Sequence, residues 1–147
     1  MPQEKVNGSC LCGEVRYEIT GNLGIFQYCH CSRCRKLTGS AHSANLFVSP
    51  EQFAWTHGEE LVGVYAPAQT RHFTTAFCRK CGSSLPWKIK SGKTVVIPAG
   101  TLDRHPGIEP SQNVFCGSRA AWYRPAAELP SHDELPARKE KGAGSGS

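Results

Sequence analysis

The chain has 147 residues, with 17 Lys and Arg against 12 Asp and Glu, for a formal charge of +5. Apolar residues make up 39% and charged residues 20%, which suits one folded domain and excludes a disordered chain. No apolar run nears the ~20 residues that span a bilayer, and 15 Gly with 10 Pro exclude a long helical bundle.

In chain order, short strands dominate. Residues 14–19 alternate polar and apolar, as a half-buried strand does. Residues 21–24 break it, and residues 25–28 form a second strand that runs into Cys29. Residues 34–39 predict a short helical turn closed by Gly39. Residues 44–48 return to β character, and Pro50 ends it. Residues 53–55 and 61–65 read as a strand pair around the polar turn at 57–60. Residues 71–77 are a strand that delivers Cys78. Residues 85–89 and 94–98 flank Ser91-Gly92, a hairpin signal. Residues 114–115 and 120–123 close the ordered part. The pattern predicts a mainly β single domain of short antiparallel strands over residues 1–136, then a flexible Gly/Ser-rich tail at 137–147.

Eight cysteines carry the chemistry. Residues 1–10 hold no apolar leader, which predicts a cytoplasmic protein, and in that reducing compartment structural disulfides are rare. The spacing points to metal instead. In an extended strand the i and i+2 side chains share a face, so Cys10 and Cys12 can reach one ion. Cys78-Arg79-Lys80-Cys81-Gly82 is a knuckle whose turn suits a positive φ at Gly82. Together Cys10, Cys12, Cys78 and Cys81 make a closed, four-thiolate structural zinc site. Zinc binding of this type contributes on the order of 10 kcal/mol in small modules.

Cys29, Cys31 and Cys34 differ, because no fourth partner is obvious nearby. Three protein ligands with one open position is the pattern of a catalytic zinc, which can hold an incoming thiol as thiolate. Arg33, Arg35 and Lys36 make this loop positive and favour thiolates and an anionic substrate, with Arg35 and Lys36 candidate carboxylate contacts. Two other readings stay open. His30 or Cys116 could supply a fourth ligand and make a second structural site. Cys31 and Cys34 could form a redox dithiol, although no βαβ context is visible. Cys116, beside Val114 and Phe115, reads as a buried small apolar residue, and Trp55, Trp87 and Trp122 as core or pocket wall. His42, His57, His72, His105 and His132 are scattered. No basic stripe interleaved with aromatics suggests a nucleic-acid surface.

Three motifs carry a family resemblance. Residues 8–17 (GSCLCGEVRY), 29–39 (CHCSRCRKLTG) and 77–85 (FCRKCGSSL) resemble, in order, those of the glutathione-dependent formaldehyde-activating family, also called the centromere protein V/Gfa domain. Residues 99–103 and 120–122 are similar to later landmarks of the family. The resemblance implies a zinc-bearing β-tent, a structural zinc on Cys10, Cys12, Cys78 and Cys81, and a more weakly held zinc on Cys29, Cys31 and Cys34. It implies condensation of glutathione with formaldehyde to S-hydroxymethylglutathione, a reversible carbon–sulfur lyase reaction. The alternative is a non-catalytic zinc module that binds a protein or nucleic acid. Asn113 departs from the pattern, standing where many members carry a His, which suggests a different substrate.

Overall fold

The computed structural model describes residues 4–137. The expected tail at 137–147 therefore lies, but for Ala137, outside the described residues. Strands are short because Gly and Pro interrupt every apolar run. They are β1 (Lys5–Ser9), β2 (Arg16–Thr20), β3 (Phe26–Cys29), β4 (Ser43–Val48), β5 (Phe53–His57), β6 (Val62–Tyr65), β7 (Thr75–Cys78), β8 (Ser84–Leu85), β9 (Trp87–Lys88), β10 (Val95–Pro98) and β11 (Gln112–Val114). A seven-residue helix, α1 (Ser32–Thr38), follows β3 and ends on a left-handed Gly39. No helix among the described residues is long and apolar enough to cross a membrane.

The strands form three sheets, ordered β1-β2-β5, β11-β3-β4-β10-β9 and β6-β7-β8. All pairings are antiparallel except β11 with β3, which is parallel. Alternation along β2 turns Tyr17 and Ile19 inward. They pack on Phe26, Leu46, Val48, Val95 and Ile97 of the five-stranded sheet, which makes the main core. Each such side chain contributes about 1.5–3 kcal/mol on leaving water. The Tyr17 hydroxyl, 2.6 Å from Thr101 Oγ1, satisfies its polar end, and burial pushes its pKa well above the usual phenol range. A second cluster, Cys10, Val15, Ala76, Cys78 and Leu85, seats the third sheet against the N-terminal turn.

Several expectations need correction. The strand over Lys5–Ser9 was not expected from a stretch whose one large apolar side chain is Val6. Residues 10–12 turn instead of extending. β5 and β6 do not pair with each other: β5 joins β2, and β6 joins β7. Gly58, at φ 73°, makes that crossover, and a Cβ there would sit 2.1 Å from the Glu14 carbonyl oxygen. Residues 120–123 form a turn rather than a strand. The hairpin at Ser91-Gly92 is present, with Val96 opposite Trp87 and Gly92 at φ 77°.

Candidate metal centres and the adjoining cavity

The sulfurs of Cys10, Cys12, Cys78 and Cys81 all lie within 4.8 Å of one another, so these residues could hold a metal ion. Cys10 and Cys12 Sγ are 3.5 Å apart, and Cys12 and Cys78 Sγ 3.9 Å. Four sulfurs at ~2.3 Å from a tetrahedral zinc would stand ~3.8 Å apart, so the set fits that ion. Two tight turns aim the pairs: Gly13 at φ 80° follows Cys12, and Gly82 at φ 80° follows Cys81. Backbone N–H groups support the sulfurs, from Val15 to Cys10 Sγ (3.3 Å) and from Lys80 and Cys81 to Cys78 Sγ (3.4 Å each). Bonds of this kind orient ligands and favour the thiolate. The Ser83 hydroxyl and backbone hold Cys81 down to about 5.

Cys29, Cys31 and Cys34 form a second cluster within the same 4.8 Å limit. β3 ends at Cys29, and α1 brings Cys34 back one turn later. Cys31 is the N-cap of α1, its sulfur accepting from the Cys34 N–H at 3.4 Å. All three are buried, and Phe73 and Val114 pack on them. Hydrogen bonding from the Cys34 thiol holds Cys29 down to about 5, and the same bond together with burial pushes Cys34 far up. One proton shared between close sulfurs is what a soft-metal site shows when it carries no compensating charge.

The trio opens on a cavity of about 380 Å³, within the range of small-molecule sites. Its walls come from β3, β4, α1, the 69–73 loop, the β9–β10 hairpin and Phe115. Arg33 and Arg71 stand at the mouth, with the Arg33 guanidinium 5.8 Å from the Phe73 ring centre. Arg35 and Lys36 do not line it, and Arg35 Nε is buried without a hydrogen-bond partner. Arg71 went unnoticed because residues 71–74 read as strand interior, and they form a loop. Asn45 is a legible signal in hindsight: a buried amide inside the apolar strand β4, facing this cavity.

His30 does not join the trio. Successive residues point oppositely, and its ring meets His42 and Tyr123 with centroids 5.0 Å from each. His30 Nε2 lies 3.0 Å from Asn113 Oδ1, so the ring donates and the amide accepts across the β3–β11 pair. Asn113 is thus the partner of a buried histidine. Asn113→Ala is expected to cost about 1–3 kcal/mol by stranding that nitrogen, several degrees in thermal unfolding; an unchanged midpoint would contradict this role. Cys116 is exposed rather than buried, and lies outside both clusters. Trp122 is exposed too, whereas Trp87 is cavity wall and Trp55 packs on the core.

Comparison with known proteins agrees with this picture. A Halomonas elongata protein, named provisionally as a glutathione-dependent formaldehyde-activating enzyme, is 32% identical over 89 residues. That match covers 54% of each protein, so the chain spans about half the length of that relative. A crystal structure of a Rhodobacter sphaeroides protein shares the fold, with a TM-score of 0.54 and 21% identity over 73% of this chain and 98% of that one. The family model described as glutathione-dependent formaldehyde-activating enzyme matches residues 5–118, and the chain belongs to that family.

Proposed function

We propose that this chain is a zinc-dependent carbon–sulfur lyase of the glutathione-dependent formaldehyde-activating type, acting in the cytoplasm, where free thiols persist. It would join a thiol such as glutathione to a small carbonyl, or release the two again. The observation that supports this most is the placement of three buried thiols at the floor of a cavity whose mouth carries Arg33 and Arg71.

Cys10, Cys12, Cys78 and Cys81 would hold a structural zinc, and Cys29, Cys31 and Cys34 a second one. Zinc on the trio would supply a Lewis acid that keeps a bound thiol ionised near neutral pH. The chain does the rest. Arg33 and Arg71 draw a thiol's carboxylates to the mouth and fix which end enters. Phe73 and Trp87 exclude water around the sulfur, which strengthens every charge interaction there. Helix α1 holds Cys31 and Cys34 at fixed separation through the cap bond to Cys34 N–H.

The test is exchange spectroscopy on glutathione and formaldehyde with zinc-loaded protein. The proposal expects faster formation and faster breakdown of S-hydroxymethylglutathione, by the same factor, since a catalyst leaves the equilibrium unchanged. Exchange at the uncatalysed rate would overturn it. A non-catalytic zinc module would need neither the cavity nor the cations at its mouth.

A further inference from the structure

The cavity beside the three cysteines changes character with depth. Its mouth is charged and exposed, with Arg33, Arg71 and His72. Its interior is apolar: Phe47, Phe73, Trp87, Ile89 and Val96, with Val96 fully buried at the bottom. No carboxylate lines it anywhere. A ligand that matches this gradient is anionic at one end and apolar at the other, with its sulfur between, level with the cysteines.

Size narrows the class further. The volume, about 380 Å³, equals that of about a dozen waters. Glutathione has twenty heavy atoms, so it cannot enter whole; its carboxylates belong with the cations outside. The part that enters is the CH₂–S arm. Formaldehyde would add one carbon and one oxygen to that arm. The aromatic walls would then face space that neither reactant fills, and the apolar contact they offer would go unused.

Resting on the carbon–sulfur reading above, we infer that the carbonyl partner carries an apolar group, aryl or branched alkyl, which occupies the pocket formed by Phe47, Trp87, Ile89 and Val96. The reaction is the addition of the thiol across an aldehyde. Sulfur forms a bond to the carbonyl carbon, the C=O π bond opens, and the thiol's proton ends on the former carbonyl oxygen. No oxidant or reductant is involved, and the reverse step returns both reactants.

S-benzylglutathione and S-methylglutathione are stable mimics of an aryl and a small adduct, and their binding can be compared by calorimetry on the zinc-loaded protein. The benzyl compound is expected to bind about tenfold tighter or more, the effect of burying one ring. Phe47→Ala should remove most of that preference, and Phe47→Leu, which keeps the fold's apolar filling, should remove part. Equal binding, or tighter binding of the methyl compound, overturns the inference and leaves the carbon–sulfur reading standing. A benzyl preference that survives in both Phe47 variants overturns the assignment to this pocket. Binding of neither compound overturns the inference outright. The exchange measurement with formaldehyde then decides separately whether the reading beneath it also falls.

Discussion

Cys78→Ser is expected to lower the thermal midpoint by on the order of 15 °C, or to prevent folded protein from accumulating. Cys78 is wholly buried at the end of β7 and packs among Val15, Ala76 and Leu85. Its sulfur takes N–H bonds from Lys80 and Cys81 and lies 3.9 Å from the Cys12 sulfur. Losing it opens a four-sulfur cluster that ties the N-terminal turn to the third sheet. Serine keeps the size but is a poor ligand for a soft metal, so the turn at Cys10 and Cys12 loses its anchor. Wild-type protein treated with a strong chelator should approach the same midpoint. Cys116→Ser, at an exposed position outside both clusters, should shift stability by no more than about 0.5 kcal/mol. A Cys78→Ser protein that melts with wild type and ignores chelator would show that the cluster is not the fold's cross-link.

Cys31→Ser should do the opposite: keep the fold and lose the reaction. Serine is among the best N-cap residues, and its hydroxyl can accept the Cys34 N–H bond that the Cys31 sulfur now takes. Helix α1 therefore survives the change. The trio, however, falls to two thiols, too few to hold zinc firmly with an open position. Thiol–carbonyl exchange should drop by about two orders of magnitude or more, the scale of losing metal assistance. The pair of readouts separates the hypotheses. Lost exchange with an unchanged midpoint fits a reactive centre. A midpoint that collapses as in Cys78→Ser would recast the trio as scaffold, and unchanged exchange would move the chemistry elsewhere.

Local pattern made the cysteine motifs, β3, α1 with its Gly39 cap, β4 and the hairpin at Ser91-Gly92 readable, because each depends on neighbours within a few residues. β1 was not readable. Its Gly8 lies under the Tyr17 ring, where a Cβ would come within 2.2 Å, so the strand is specified by its partner rather than by its own pattern. The turn at 57–60 looked like a hairpin, yet it is a passage between sheets, held by an approach to Glu14 more than forty positions away. The parallel pairing of β11 with β3 is equally non-local, and so is the partnership of His30 with Asn113. The cavity was the least legible element of the candidate site. Its wall gathers residues from position 27 to position 115, and no single stretch announces it.

The sulfur-to-sulfur contact of Cys12 with Cys78 spans 66 positions along the chain. As a nascent chain leaves the ribosome, the first knuckle emerges long before its counterpart, and the loop between them must form with its cross-link unmade. Chain-closure entropy delays such a contact, and transiently exposed strand edges are open to aggregation meanwhile. The amount of active protein in a cell should therefore follow ion supply at the moment of synthesis, so that a starved cell accumulates little folded protein instead of a stable pool waiting to be charged.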